Sequence, residues 1–177
     1  VGTSAGACSA AFFVARQFEL FNRIWQDYLH GSRFIRFRNL SSRERSVLDL
    51  DYLIHDVFRT KEKLDVEAIR TGKTRFFIAA TEVSTGSPVY FDARRDPILI
   101  ALKASSAMPI AYRHPVVVNG IAYCDGGVSV PIPIQKAIDE GCDEVTVLLT
   151  RPLGYRRKKP LFQIVPQIVK KRYPALS

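Results

Sequence analysis

The sequence predicts an α/β domain, and three observations carry that expectation. Helical and strand-like periodicities alternate along the chain. Phe76, Phe77, Ile78, Ala79 and Ala80 form an unbroken apolar run suited to a strand buried on both faces. At the start, Gly2-Thr3-Ser4-Ala5-Gly6 spells Gly-x-Ser-x-Gly, a pattern that fits a sharp strand-to-helix turn.

The elements follow in order. Ala5 to Ala15 reads as a helix of small and apolar residues able to pack closely on a sheet. Phe18 to Leu29 continues helically, with Phe18, Phe21, Ile24, Trp25, Tyr28 and Leu29 at three- and four-residue steps, and Gly31-Ser32 ends it. Arg33 to Arg45 alternates basic and aromatic residues. It reads as a partly exposed connection, although such interleaving also suits nucleic acid or lipid headgroups. Leu48 to Phe58 predicts a second amphipathic helix, and Asp65 to Arg70 a short one stopped at Gly72. Thr74 to Val83 is the buried strand, and Val89 to Phe91 returns beside it after Ser84-Thr85-Gly86-Ser87. Pro97 to Ser105 is a helix with proline near its first turn. Val116–Val118 and Ile121–Cys124 flank Asn119-Gly120, a strong hairpin signal. A helix from Ile134 to Glu140 then leads through Gly141 to a strand over Glu144–Thr150.

At 177 residues the chain fits one domain of ordinary size, with an apolar share typical of a folded protein. No apolar run is long enough to span a bilayer. The absence of an initiator methionine and of a secretory signal reads as a piece of a longer chain. Cys8, Cys124 and Cys142 lack zinc-like spacing and read as small buried thiols, suited to a reducing, cytoplasmic setting. No ligand cluster or phosphate-cradling loop is evident, so no metal and no organic cofactor is expected.

Nearly all of the net charge of +9 sits in the tail: from Arg151 onward there are eight basic residues and no acidic one. The chain therefore divides into residues 1–150 and a basic C-terminal segment, 151–177, read as the start of a following helix or region. No nucleic-acid motif accompanies the charge, and no nucleic-acid partner is expected. Leu161, Phe162, Ile164, Val165, Ile168 and Val169 recur at helical spacing, interrupted by Pro166. Two readings stay open: a helix lying on an anionic membrane surface, which would make the protein peripheral, or one packing on the core or a further domain.

A serine on such a turn is exposed, and the helix N-terminus beside it favours developing negative charge. It needs a base. His30 ends a predicted helix and His55 lies inside one. His114, in Tyr112-Arg113-His114-Pro115, is the histidine best placed for a triad. Asp125, in Cys124-Asp125-Gly126-Gly127, is the stronger candidate, because the glycines allow a tight turn beside a ligand or another main chain. Asp-Gly is equally an ordinary turn dipeptide.

The ordered set of the Gly2–Gly6 pentapeptide, Ala104-Ser105-Ser106-Ala107-Met108-Pro109 and Asp125-Gly126-Gly127 closely resembles the patatin-like phospholipase family. Thr81-Glu82 and Thr85-Gly86 look like that family's central strand and turn, and the Arg172–Leu176 end is similar to bacterial members. The resemblance runs from Gly2 to about Thr150. It implies a three-layer α/β/α patatin-like catalytic domain, with Ser4 as nucleophile and Asp125 as its base, a dyad without histidine. Gly2, Gly6, Gly126 and Gly127 fall on the motif positions, and the Ala5 amide would be one oxyanion donor. The implied activity is cleavage of lipid or other acyl esters through an acyl-enzyme. An acyltransferase with the same dyad, or a non-catalytic domain binding membrane or partner, is the alternative. The family's glycine-rich oxyanion loop lies some tens of residues before the elbow. This sequence opens one residue before Gly2, so that loop and the strand feeding Ser4 are expected to fall outside it. Loss of one oxyanion donor costs about 2.7–4 kcal/mol of transition-state stabilisation.

Overall fold

The computed structural model describes residues 1–40, 42, 45–152 and 154. The expected tail helix around Leu161–Val169 and the Arg172–Leu176 end lie outside the described residues.

A five-stranded mixed sheet forms the middle layer of a three-layer α/β/α domain. Its strands are β1 (Gly2–Thr3), β2 (Phe77–Glu82), β3 (Pro88–Asp92), β4 (Val116–Val118) and β5 (Ile121–Asp125). The helices are α1 (Ala5–Val14), α2 (Phe18–Arg23), α3 (Val66–Thr71), α4 (Ile98–Ser105) and α5 (Ile134–Asp139). A π-helix spans Tyr52–Lys61, and α2 runs on into a π turn over Ile24–Tyr28.

The register explains the site. β3 pairs antiparallel with β2 along Phe77 to Thr81 and so occupies one whole edge of that strand. Both other partners must use the opposite edge. β1 runs parallel to β2 and ends with Thr3 opposite Ala79, while β5 runs antiparallel and ends with Asp125 opposite Ala80. Two strands therefore approach each other head-on and stop at neighbouring residues of β2. The β4–β5 hairpin turns at Asn119-Gly120, both at positive φ (51° and 81°), as the dipeptide predicts.

Side chains alternate across β2. Ile78 and Ala80 face a core with Phe12, Phe58, Leu102 and Phe91, and Phe12 meets Phe58 edge-on at 5.0 Å. Each such fully buried ring or branched chain contributes about 1.5–3 kcal/mol. α1, α4 and the π-helix cover this face. On the other face Lys136 of α5 lies over the Phe77 and Tyr90 rings, 4.4 and 5.5 Å from their centroids. The small residues of α1 let it approach closely. A Cβ on Gly2 would stand 2.6 Å from the Ala7 Cα.

Several expectations shift. The strand feeding Ser4 is represented in the sheet by Gly2 and Thr3. The helix expected from Leu48 begins later, because Leu48 bridges Ile35 and donates its amide to the Ala111 carbonyl, and the main chain is in use there. The strand expected over Glu144–Thr150 does not form. Its apolar residues are exposed, Leu148 at 93%, and among the described residues no strand lies alongside to complete a ladder. Alternation supplies a face but not a hydrogen-bonding neighbour. Cys8 and Cys124 are buried as expected, whereas Cys142, two residues before that stretch, is exposed.

The glycines of the two motifs do different jobs. A Cβ on Gly126 would lie 2.3 Å from the Ala79 carbonyl oxygen and 3.0 Å from Thr3 Cγ2, whereas one on Gly6 meets nothing within 4 Å. Gly126→Ala is therefore expected to cost about 1–3 kcal/mol of overpacking strain in urea unfolding. Gly6→Ala, in the first turn of a helix, should cost nothing. Equal losses for the two variants would contradict this packing.

Candidate active site

Ser4 occupies the turn between β1 and α1 with φ 53° and ψ −131°, a conformation that costs a non-glycine residue of order 1–3 kcal/mol. Serine at a helix start ordinarily caps its own helix with its hydroxyl. Here no side-chain cap forms. The Ser4 carbonyl accepts from the Ala7 and Cys8 amides, and the hydroxyl donates instead to Asp125 Oδ2 at 2.6 Å. Ala5 and Gly6 head α1, where amides have no intrahelical acceptor, and both residues are exposed.

Asp125 is fixed on every side. Its amide donates to the Ala107 carbonyl at 3.0 Å, and its carbonyl accepts from the Thr81 hydroxyl at 2.8 Å. Its Oδ1 accepts from the Gly127 amide at 2.7 Å, the Asx-type turn that Asp-Gly-Gly favours. Both weighed readings of Asp125 are thus present in one side chain: Oδ1 builds the turn and Oδ2 meets the serine. The residue is 3% exposed. Burial pushes its carboxyl pKa up from the ordinary value, opposed by the Ser4 hydroxyl and the Gly127 amide, which favour the charged form.

The neighbouring thiols are held neutral. Burial, more than the Asp125 charge, raises Cys124 to about 12. Cys8 is raised to about 11, mainly by burial and further by Asp125, against a lowering contact with Ser106. The nucleophilic form of cysteine is the thiolate, so neither competes with Ser4 near neutral pH. Among the described residues no cluster of metal-ligating side chains occurs.

The histidines lie elsewhere. His30 lines an exposed cavity of about 450 Å³ with Arg36 and Phe37, and His55 is 3.7 Å from Asp51 one turn away. His114 is exposed, two residues before β4. The Ser4 hydroxyl is committed to Asp125, which leaves His114 without the contact that a triad requires.

Residue types alone missed part of this support. Thr81 is legible only as one residue of a strand, yet its buried hydroxyl joins the Asp125 carbonyl to Ser129 Oγ, 2.7 Å away. A hydroxyl residue inside an apolar strand was the available signal. The 104–109 segment is legible as a motif, but its contacts are not.

Comparison with known proteins gives a family and a relative. The family model for patatin-like phospholipase matches residues 1–138. Over 161 residues the chain is 30% identical to the uncharacterized protein YjjU of Escherichia coli (strain K12), covering 86% of this chain and 43% of that protein. The chain thus spans less than half the length of this relative.

The buried carboxylate has a consequence for stability. A folded-state pKa above the unfolded value means that protonated Asp125 favours the fold, fully so below the unfolded pKa. That contribution is lost as pH rises through the folded pKa. Asp125→Asn, neutral at every pH and still able to accept from Gly127, is therefore expected to melt at or above the wild-type temperature at pH 7. The difference should shrink as pH falls through the raised pKa and be gone below about 4, the ordinary aspartate value. A variant clearly less stable than wild type at pH 7 would contradict the cost assigned to burial.

Proposed function

Since this chain belongs to the patatin-like phospholipase family, we propose that it is a lipid acyl hydrolase working through a Ser4–Asp125 dyad. The observation that carries the proposal is the 2.6 Å bond from the Ser4 hydroxyl to Asp125 Oδ2, made by a serine in a strained turn at the head of α1.

The chemistry runs in two halves. Ser4 Oγ attacks the ester carbonyl carbon while Asp125 Oδ2 takes the hydroxyl proton. The oxygen that gains charge accepts from the Ala5 amide, aided by the N-terminal end of α1. As the carbon–oxygen bond to the alcohol breaks, Asp125 returns its proton to the leaving oxygen, and an acyl-serine remains. Water then gives its proton to Asp125 and attacks the acyl carbon. Ser4 leaves reprotonated and the free acid departs. An ordinary carboxylate is a weak base for a hydroxyl, and the raised pKa of Asp125 moves it toward the task. The short, fixed contact supplies the rest through orientation.

Substrates of the family are lipids, and we propose that the Arg151–Ser177 segment brings the protein to an anionic lipid surface. Eight cations without an acidic residue, placed at both ends of a run whose apolar residues recur at helical spacing, support that attachment. The charge is confined to one segment, which suits a docking element better than a uniformly basic surface does.

Three outcomes test this reading. Ser4→Ala should abolish labelling by a fluorophosphonate probe and hydrolysis of acyl esters, and Asp125→Asn should lower hydrolysis by about 10²–10⁴-fold, the range of general acid–base catalysis. Both variants should remain folded by circular dichroism, and full activity in Asp125→Asn would refute the dyad. In the wild type, kcat/KM should fall with acid at a pKa above about 3.9, the ordinary aspartate value, because only ionised Asp125 accepts the proton. Co-sedimentation with phosphatidylglycerol-containing vesicles should weaken as salt rises, and vanish when Arg156, Arg157, Lys158 and Lys159 are all replaced by glutamine. Binding indifferent to salt and to these residues would reject the membrane role.

A further inference from the structure

Three consecutive residues at the C-terminal end of α4 touch both halves of the site. Ser105 Oγ accepts from the Ser4 amide at 2.8 Å and donates to the Ala79 carbonyl at 2.5 Å. Ser106 Oγ lies 3.6 Å from Cys8 Sγ on α1. The Ala107 carbonyl accepts from the Asp125 amide. Ser105 is wholly buried, at 0% exposure, so its hydroxyl has no water to exchange with these partners.

Its location in the sheet gives the contact meaning. Thr3 pairs with Ala79, the last register pair of β1 and β2. A parallel ladder carried one step further would hand the Ala79 carbonyl directly to the Ser4 amide. The Ser105 hydroxyl bridges the two instead, with the single donor and the acceptor that a serine offers. Ser4 is thereby held to β2 through a side chain and is free of ladder geometry, and it turns to φ 53°.

We propose that Ser105 is a positioning residue: its hydroxyl, inserted between the Ser4 amide and the Ala79 carbonyl, holds the strained turn that aims Ser4 Oγ at Asp125. This rests on the hydrolase reading for its effect on rate but not for its effect on geometry. Removing the hydroxyl leaves a buried donor and a buried acceptor unpaired, and the turn relaxes to recover a direct bond. A shift of the nucleophile by about 1 Å costs of order 10²-fold in rate.

The test compares wild type, Ser105→Ala and Ser105→Thr in the full chain. Three measurements are made: the rate of fluorophosphonate labelling, kcat and KM on a short acyl ester, and native-state hydrogen exchange at the Ser4 amide. Ser105→Ala should label about 10²-fold more slowly with KM little changed, and its Ser4 amide should lose protection while the Asp125 amide keeps it. Ser105→Thr, which retains the hydroxyl, should recover most of the rate. If Ser105→Ala does not fold, Ser105→Cys carries the comparison, because a thiol accepts weakly from the same position. A folded variant that labels at the wild-type rate with its Ser4 amide still protected overturns the proposal. Absence of labelling in the wild type, with protection lost only in Ser105→Ala, refutes the hydrolase and sustains the positioning role.

Discussion

The site depends on one constraint: a strand has two edges, and β3 fills one of those on β2. β1 and β5 must then share the other, and they do so from opposite ends, stopping at Ala79 and Ala80. Residues about 120 apart in sequence become neighbours through backbone pairing, before any side chain acts. This economy has a steric condition. Where two strand ends meet, the chain leaving one of them must pass close to β2, and Gly126, against the Ala79 carbonyl, provides that passage. The glycine after Asp125 is thus tied to the meeting of the strands as much as to the tightness of the turn.

The same junction leaves polar groups that the sheet cannot satisfy, and hydroxyls satisfy them. Ser105 takes the Ala79 carbonyl, while Thr81 takes the carbonyl of Asp125 and contacts Ser129. No buried side-chain polar atom lacks a partner among the described residues. Full satisfaction matters because Asp125 works against the fold when ionised, and a buried carboxylate with loose neighbours would simply stay protonated. Its two oxygens divide the labour, and the structural bond at Oδ1 keeps Oδ2 aimed.

Much of this architecture was legible. Helices α1–α5 and strands β2–β5 each have a counterpart in periodicity or in a turn dipeptide, because local pattern and tertiary role agree there, whereas β1 was expected to fall outside the sequence. Ser4 and Asp125 were legible as a pair only from the order of several motifs. Their contact depends on a register that no single segment encodes. The misses share a cause. Leu48 lost its helical place to a backbone bond with Ala111, and Glu144–Thr150 had a strand's pattern without a strand's neighbour. Ser105 and Thr81 were legible as members of motifs, but nothing in those motifs says which groups their hydroxyls bond. Their importance comes from which carbonyls lie opposite them, and that is a property of the assembled sheet.

The exposed run Val145, Val147, Leu148 and Leu149 bears on how the protein behaves in concentrated solution. An apolar β-prone stretch with open main-chain groups is a template for another chain's strand, and natural sheets guard such edges with charge, proline or a cover. This stretch carries acidic residues only at its start, Asp143 and Glu144, with none among the four apolar ones. Strand addition between chains would therefore begin here.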